Sequence, residues 1–131
     1  MEYKNLTENV LSQLVIGSAI RVHKALGPGL LENIYKECLY YELTVNNGLY
    51  VEKEKIIPVI YNSVKLDCAC RIDLLVENKL VVELKSVQML HDVHLAQTIT
   101  YLRLGNYKLG LLMNFNVARL TEGIRRVVNQ L

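Results

Sequence analysis

Three charged side chains stand where apolar ones are expected. Asp73 interrupts Arg71-Ile72-Asp73-Leu74-Leu75-Val76, and Glu83 and Lys85 interrupt Val81-Val82-Glu83-Leu84-Lys85-Ser86. Both stretches are rich in Val, Leu and Ile and read as consecutive strands. A charge carried into such surroundings is costly unless it is paired or bound to a metal. Two acids and a lysine in that setting suit a divalent-metal site for cutting phosphodiesters. Carboxylates are hard oxygen donors, and Mg²⁺ takes one or two of them and leaves its other positions to water and phosphate. Asp73 and Glu83 are the candidate metal ligands, with the backbone carbonyl of Leu84 as a third. Lys85 would hold the attacking water or a phosphate oxygen. On the Glu-x-Lys triplet alone, a salt bridge from Lys85 to Asp73 or Glu83 on a covered face is the plainer reading.

The elements that position these residues must satisfy a parity condition. Alternation along a strand puts Glu83 and Lys85 on one face. Asp73 lies opposite Glu83 in an antiparallel pair only if the intervening loop has an odd length, most simply Glu77-Asn78-Lys79, or contains a bulge. A two-residue turn at Asn78-Lys79 would send Asp73 to the other face.

Around this hairpin the pattern predicts an α/β chain in the order α-α-β-β-β-α-β-α. A first helix spans about residues 7–26, with Thr7 as N-cap, a Leu6/Leu11 staple and a stop at Gly27-Pro28-Gly29. A second helix spans about 30–45. Strands follow at 50–61, where Pro58 marks an edge strand or a bend, and at 64–76 and 80–86. A helix at 91–104 suits a crossover that makes the third strand parallel to a fourth at 107–114. A last helix covers about 120–129. The result is a mixed four-stranded sheet, apolar on both faces and flanked by helices.

Further polar residues fall near the same place. Glu32 and Tyr35 lie one helical turn apart just after Gly29. Gln97 and Tyr101 share a face of the crossover helix at i and i+4, and His94 precedes Gln97 by one turn. The first turn of that helix offers backbone N–H groups to phosphate. Arg71 shares a strand face with Asp73 by alternation and would meet phosphate or pair with an acid. His23, on the apolar face of the first helix, reads as a satisfied structural histidine. Arg119, Arg125 and Arg126 read as a solvated helix. Cys38, Cys68 and Cys70 lack zinc spacing and read as buried, reduced core thiols.

The set Gly29-x-x-Glu32-x-x-Tyr35, Asp73, Glu83-Leu84-Lys85 and Gln97-x-x-x-Tyr101 resembles the GxxExxY family of the PD-(D/E)XK nuclease superfamily. Its Gln-x-x-x-Tyr element is similar to that of RecB-type nucleases. The resemblance extends from Val22-His23 through Asn114-Phe115-Asn116 to Ile124-Arg125-Arg126. Ile72 stands where the superfamily pattern has proline before the aspartate. The resemblance implies a restriction-endonuclease-like core and Mg²⁺- or Mn²⁺-dependent hydrolysis of DNA or RNA. It places Glu32, Asp73, Glu83 and Lys85 at the catalytic centre, with Glu32 a further metal ligand or a support for the other two. Gln97, Tyr101, Arg71 and Tyr35 would line the substrate side. The competing expectation is a non-catalytic nucleic-acid-binding or assembly module that keeps the nuclease fold.

The bulk numbers agree with either. The chain has 131 residues, 51% hydrophobic and 21% charged, with a net charge of +2, which fits one globular domain and excludes a disordered chain. The charge allows a nucleic-acid partner without demanding one. No apolar run approaches the ~18 residues of a membrane span, and the N-terminus lacks the pattern of a signal peptide, so a cytoplasmic protein is expected. A homodimer or larger complex is the expected setting for so small a catalytic domain.

Overall fold

The computed structural model describes residues 3–131. Thr7 caps the first helix, α1 (Glu8–Leu26), by accepting the Val10 amide on its side chain. Leu11, Val15, Ala19 and Val22 recur at helical spacing and are all buried. Gly27 ends the helix with φ 71° and returns its amide to the His23 carbonyl.

The second helix, α2 (Glu32–Tyr41), is shorter than expected. It passes into a single π-turn at Glu42–Asn46. There the Thr44 hydroxyl donates to the Tyr40 carbonyl, and the Asn47 amide returns to the Glu42 carbonyl. Side chains that bond the backbone in this way loosen a helix locally.

Five strands form one sheet in sequence order: β1 (Val51–Tyr61), β2 (Val64–Val76), β3 (Leu80–Lys85), β4 (Leu109–Asn114) and β5 (Ile124–Val128). β3 and β4 are parallel and every other neighbouring pair is antiparallel. The third helix, α3 (Asp92–Gly105), connects the parallel pair. Pro58 lies in an edge strand, as its missing N–H requires, and the β1–β2 register shifts immediately after it.

The expected four-stranded sheet and final helix are corrected by β5. Leu120, Ile124 and Val127 are spaced like a helical stripe. However, residues Leu120–Gly123 form only a 3₁₀ turn, and the β-branched run Ile124–Val128 pairs with β4. This pairing satisfies backbone groups that β4 would otherwise leave open. Gly123 is required at the entry, because a Cβ there would collide with the Asn114 carbonyl oxygen.

The helices sort the core into two layers. α1 and α2 cover one face through Leu11, Val15, Tyr35 and Leu39, against Leu74, Val82, Leu84 and Met113. α3 covers the other through Tyr101 and Leu102, against Ile57, Ile72, Leu75 and Val81. The thiols are not fully buried as expected: Cys38 and Cys70 are half-buried and pack against the two core layers, and Cys68 is exposed on the outer half of β2, all three free. His23 is structural as read: its Nε2–H donates to the Phe115 and Val117 carbonyls (3.1 and 2.9 Å).

Candidate active site

The turn after Val76 is three residues long. Val76 pairs with Leu80 and Leu74 with Val82, so Asp73 comes opposite Glu83, as the parity condition demands. Glu77 and Asn78 adopt positive φ (50° and 55°) to make this turn. The buried Glu77 carboxylate holds it by accepting the backbone amides of Lys4 and Tyr50.

At Asp73 and Glu83 the β2–β3 ladder opens. Two backbone donors at the opening bond to side chains instead of carbonyls. The Asp73 amide donates to Glu83 Oε1 and the Leu84 amide to Asp73 Oδ2, each at 2.9 Å. Each carboxylate therefore spans the gap between the strands with one oxygen. The other oxygen, Asp73 Oδ1 or Glu83 Oε2, accepts no backbone donor among the described residues. The backbone is irregular at the same place. Ile72 and Leu75 both pack on the α3 side, whereas Leu74 and Val76 pack on the other, so the alternation of β2 slips by one at Asp73. Across from it, Glu54 of β1 has φ 54° and drops out of the ladder between Lys53↔Leu74 and Lys55↔Ile72.

Arg71 meets an acid, lying 3.7 Å from Glu54, whose same oxygen meets Lys36 at 3.4 Å. Lys36 belongs to the site and was not anticipated. It lines a cavity of about 130 Å³ with Glu32, Asn33, Asp73 and Leu84. The signal that would have found it is its i+4 spacing from Glu32 on α2.

The electrostatics follow from burial. Glu83 is buried, and desolvation, reinforced by the charge of Asp73, pushes its carboxyl up to about 8. Burial likewise raises the Glu32 carboxyl, opposed by the charge of Lys85 and reinforced by that of Asp73. Burial raises the Tyr101 phenol too, reinforced by the charge of Glu83. Lys85 lies close enough to act on both Glu32 and Glu83 but makes no ion pair within 4.0 Å among the described residues. The covered salt bridge that would explain the triplet as structural is not formed.

The remaining expected residues divide. Tyr101 is beside the acids. Gln97, one turn earlier, is exposed and bonds to none of them. His94 caps its own helix: its Nδ1 accepts the His91 amide at the start of α3. Tyr35 is fully buried, which removes it from the substrate side. Its hydroxyl donates to the Gly27 carbonyl (2.6 Å) and accepts the Leu30 amide (3.1 Å), and its ring stacks on Phe115. It shapes the Gly27-Pro28-Gly29 loop that leads to Glu32. Ser86 closes that side, its hydroxyl donating to the Leu30 carbonyl.

A model of the PD-(D/E)XK nuclease superfamily matches residues 9–127. The chain belongs to that superfamily. The crystal structure of SSO0001 superposes with a TM-score of 0.57 at 20% identity, over 95% of this chain and 60% of that one. At that identity the likeness shows the fold, and this superfamily member spans about 60% of the length of SSO0001. No curated protein matches the chain. The PD-(D/E)XK sheet here has the mixed, helix-flanked form, with the acid pair at the point where β2 and β3 separate.

Proposed function

We propose that this protein is a divalent-metal-dependent nuclease that hydrolyses phosphodiester bonds of DNA or RNA. The observation that carries the reading is the opened ladder at Asp73 and Glu83, where two interlocked carboxylates each keep one oxygen unclaimed. The donor set fits a hard cation. It consists of oxygens only: the two carboxylates and the Leu84 carbonyl, with Glu32 lining the cavity beside Asp73 and Leu84. No group of three or more His, Cys, Asp or Glu side chains that could hold a metal ion is found among the described residues, so the carboxylate pair and the Leu84 carbonyl would hold Mg²⁺ or Mn²⁺ only with water and substrate phosphate completing its shell. When bound, the cation supplies charge neutralisation at the phosphate and acidifies water.

The chain's own groups do the rest. The proton that Glu83 holds would leave when the pair takes up a cation, and the backbone amides of Asp73 and Leu84 would keep the two carboxylates oriented. Lys85, unpaired and adjacent, is free to donate to a phosphate oxygen or hold the attacking water. Lys36 adds a second cation at the rim, tethered through Glu54. Glu32, whose carboxyl is raised by burial and which lines the cavity beside Asp73, would accept a proton from water.

Incubation with Mg²⁺ or Mn²⁺ and a panel of single- and double-stranded DNA and RNA tests this directly. Wild type cleaves at least one substrate, chelator stops it, Asp73→Ala abolishes it, and Lys85→Met lowers the rate by about 10²-fold or more. Equal behaviour of wild type and Asp73→Ala across the panel removes the enzyme reading. Binding of nucleic acid without cleavage would instead assign the fold to a binding module.

A further inference from the structure

β2 is thirteen residues long, yet β3 pairs only with Leu74, Leu75 and Val76. The rest of its inner edge has no strand beside it. With β1 it forms a two-stranded ribbon that runs out past both helical layers. Its apolar side chains face solvent: Ile56, Ile60, Tyr61 and Val64 are each more than half exposed. Within the ribbon the register jumps from Pro58↔Ala69 to Ile60↔Lys65, so residues 66–68 have no partner on β1 either. An isolated two-stranded ribbon is marginal in water, and an open edge with apolar side chains is a template for another strand.

The sequence of that edge specifies which strand. Val64-Lys65-Leu66-Asp67-Cys68 reads alike in both directions, apolar at the ends and centre, with a cation and an anion between. We propose that residues 64–68 of two copies pair antiparallel about a two-fold axis at Leu66. Lys65 then faces Asp67 of the partner subunit, and the reciprocal pair forms across the axis. On the other face Leu66 meets its own copy, and Val64 meets Cys68 of the partner subunit. Neighbouring registers are disfavoured, because an axis at Lys65 opposes two lysines and an axis at Asp67 opposes two aspartates. Phosphate is the poorer occupant. Lys65 and Arg71 on this strand are offset by Asp67 and Asp73, and Lys53 and Lys55 on β1 by Glu52 and Glu54, so the ribbon presents no cationic track.

Sedimentation equilibrium of the whole chain tests the pairing. The 15.0 kDa chain is expected to sediment at twice its mass. Lys65→Asp and Asp67→Lys each create two like-charge contacts across the axis and should weaken self-association by at least about tenfold. The double swap Lys65→Asp/Asp67→Lys should restore it, with circular dichroism unchanged throughout. Leu66→Cys in a Cys68→Ser/Cys70→Ser background should form an intermolecular disulfide on oxidation. A monomeric wild type overturns the proposal, as does a dimer indifferent to the single swaps or a double swap no better than either. A monomer whose nucleic-acid affinity falls with Lys65→Asp would overturn it in favour of a nucleic-acid arm.

Discussion

Glu83 is the side chain whose chemistry depends most on its neighbours, and its proton sets a measurable sign. Its folded-state value is raised from 4.5 to about 8 by burial and by the charge of Asp73. The folded protein therefore holds a proton that the unfolded chain releases. The associated stability is fully present below the unfolded value and is lost as pH rises through the folded one. Metal-free wild type is expected to lose stability relative to Glu83→Gln between these values, by on the order of a few kcal/mol. Urea unfolding at a series of pH values checks it, and parallel curves for the two proteins would contradict it. At this scale the acid-acid-lysine set was legible because charge in apolar strands is conspicuous. Lys36 was not, since a lysine on an amphipathic helix has no such contrast until α2 is docked beside Asp73. Gln97 and Tyr101 show the converse: i and i+4 spacing predicted a shared face, but the rotation of α3 buries Tyr101 and leaves Gln97 in solvent.

The three-residue turn is the element that makes the site. Its odd length followed from parity once Asp73 was required to lie opposite Glu83, with a bulge as the alternative, because a one-residue slip sends every side chain of a strand to the opposite face. What fixes it was not deducible: the Glu77 carboxylate reaches the amides of Tyr50 and Lys4, the latter far away in sequence. Glu77→Ala leaves two amides without their acceptor and should cost about 1–3 kcal/mol, seen as a lower urea midpoint at unchanged slope. A midpoint equal to wild type would show that the turn is held by its backbone alone. β5 failed to appear in the sequence for a related reason. Residues 120–128 carry helical spacing, and their strand conformation exists only through pairing with β4. The π-turn after α2 and the slip in β2 at Asp73 are local irregularities that no periodicity reports.

At the scale of the molecule, the order of elements as far as β4 and the parallel β3–β4 pair followed from strand and crossover lengths. The difference in length between β2 and β3 was visible as well, but its consequence, a ribbon projecting beyond both core layers, needed the assembled sheet. The pocket is likewise a property of the whole, since Glu32 and Lys36 arrive on α2, Asp73 on β2, and Leu84 on β3. Calorimetric titration of the intact chain with Mn²⁺ near neutral pH, in two buffers of different ionisation enthalpy, tests that assembly most directly. Wild type is predicted to bind with release of a proton from the Asp73–Glu83 pair, and Asp73→Asn to lose both the binding and the proton. Identical isotherms for the two proteins, or binding without proton release, would contradict a metal site at the opened ladder.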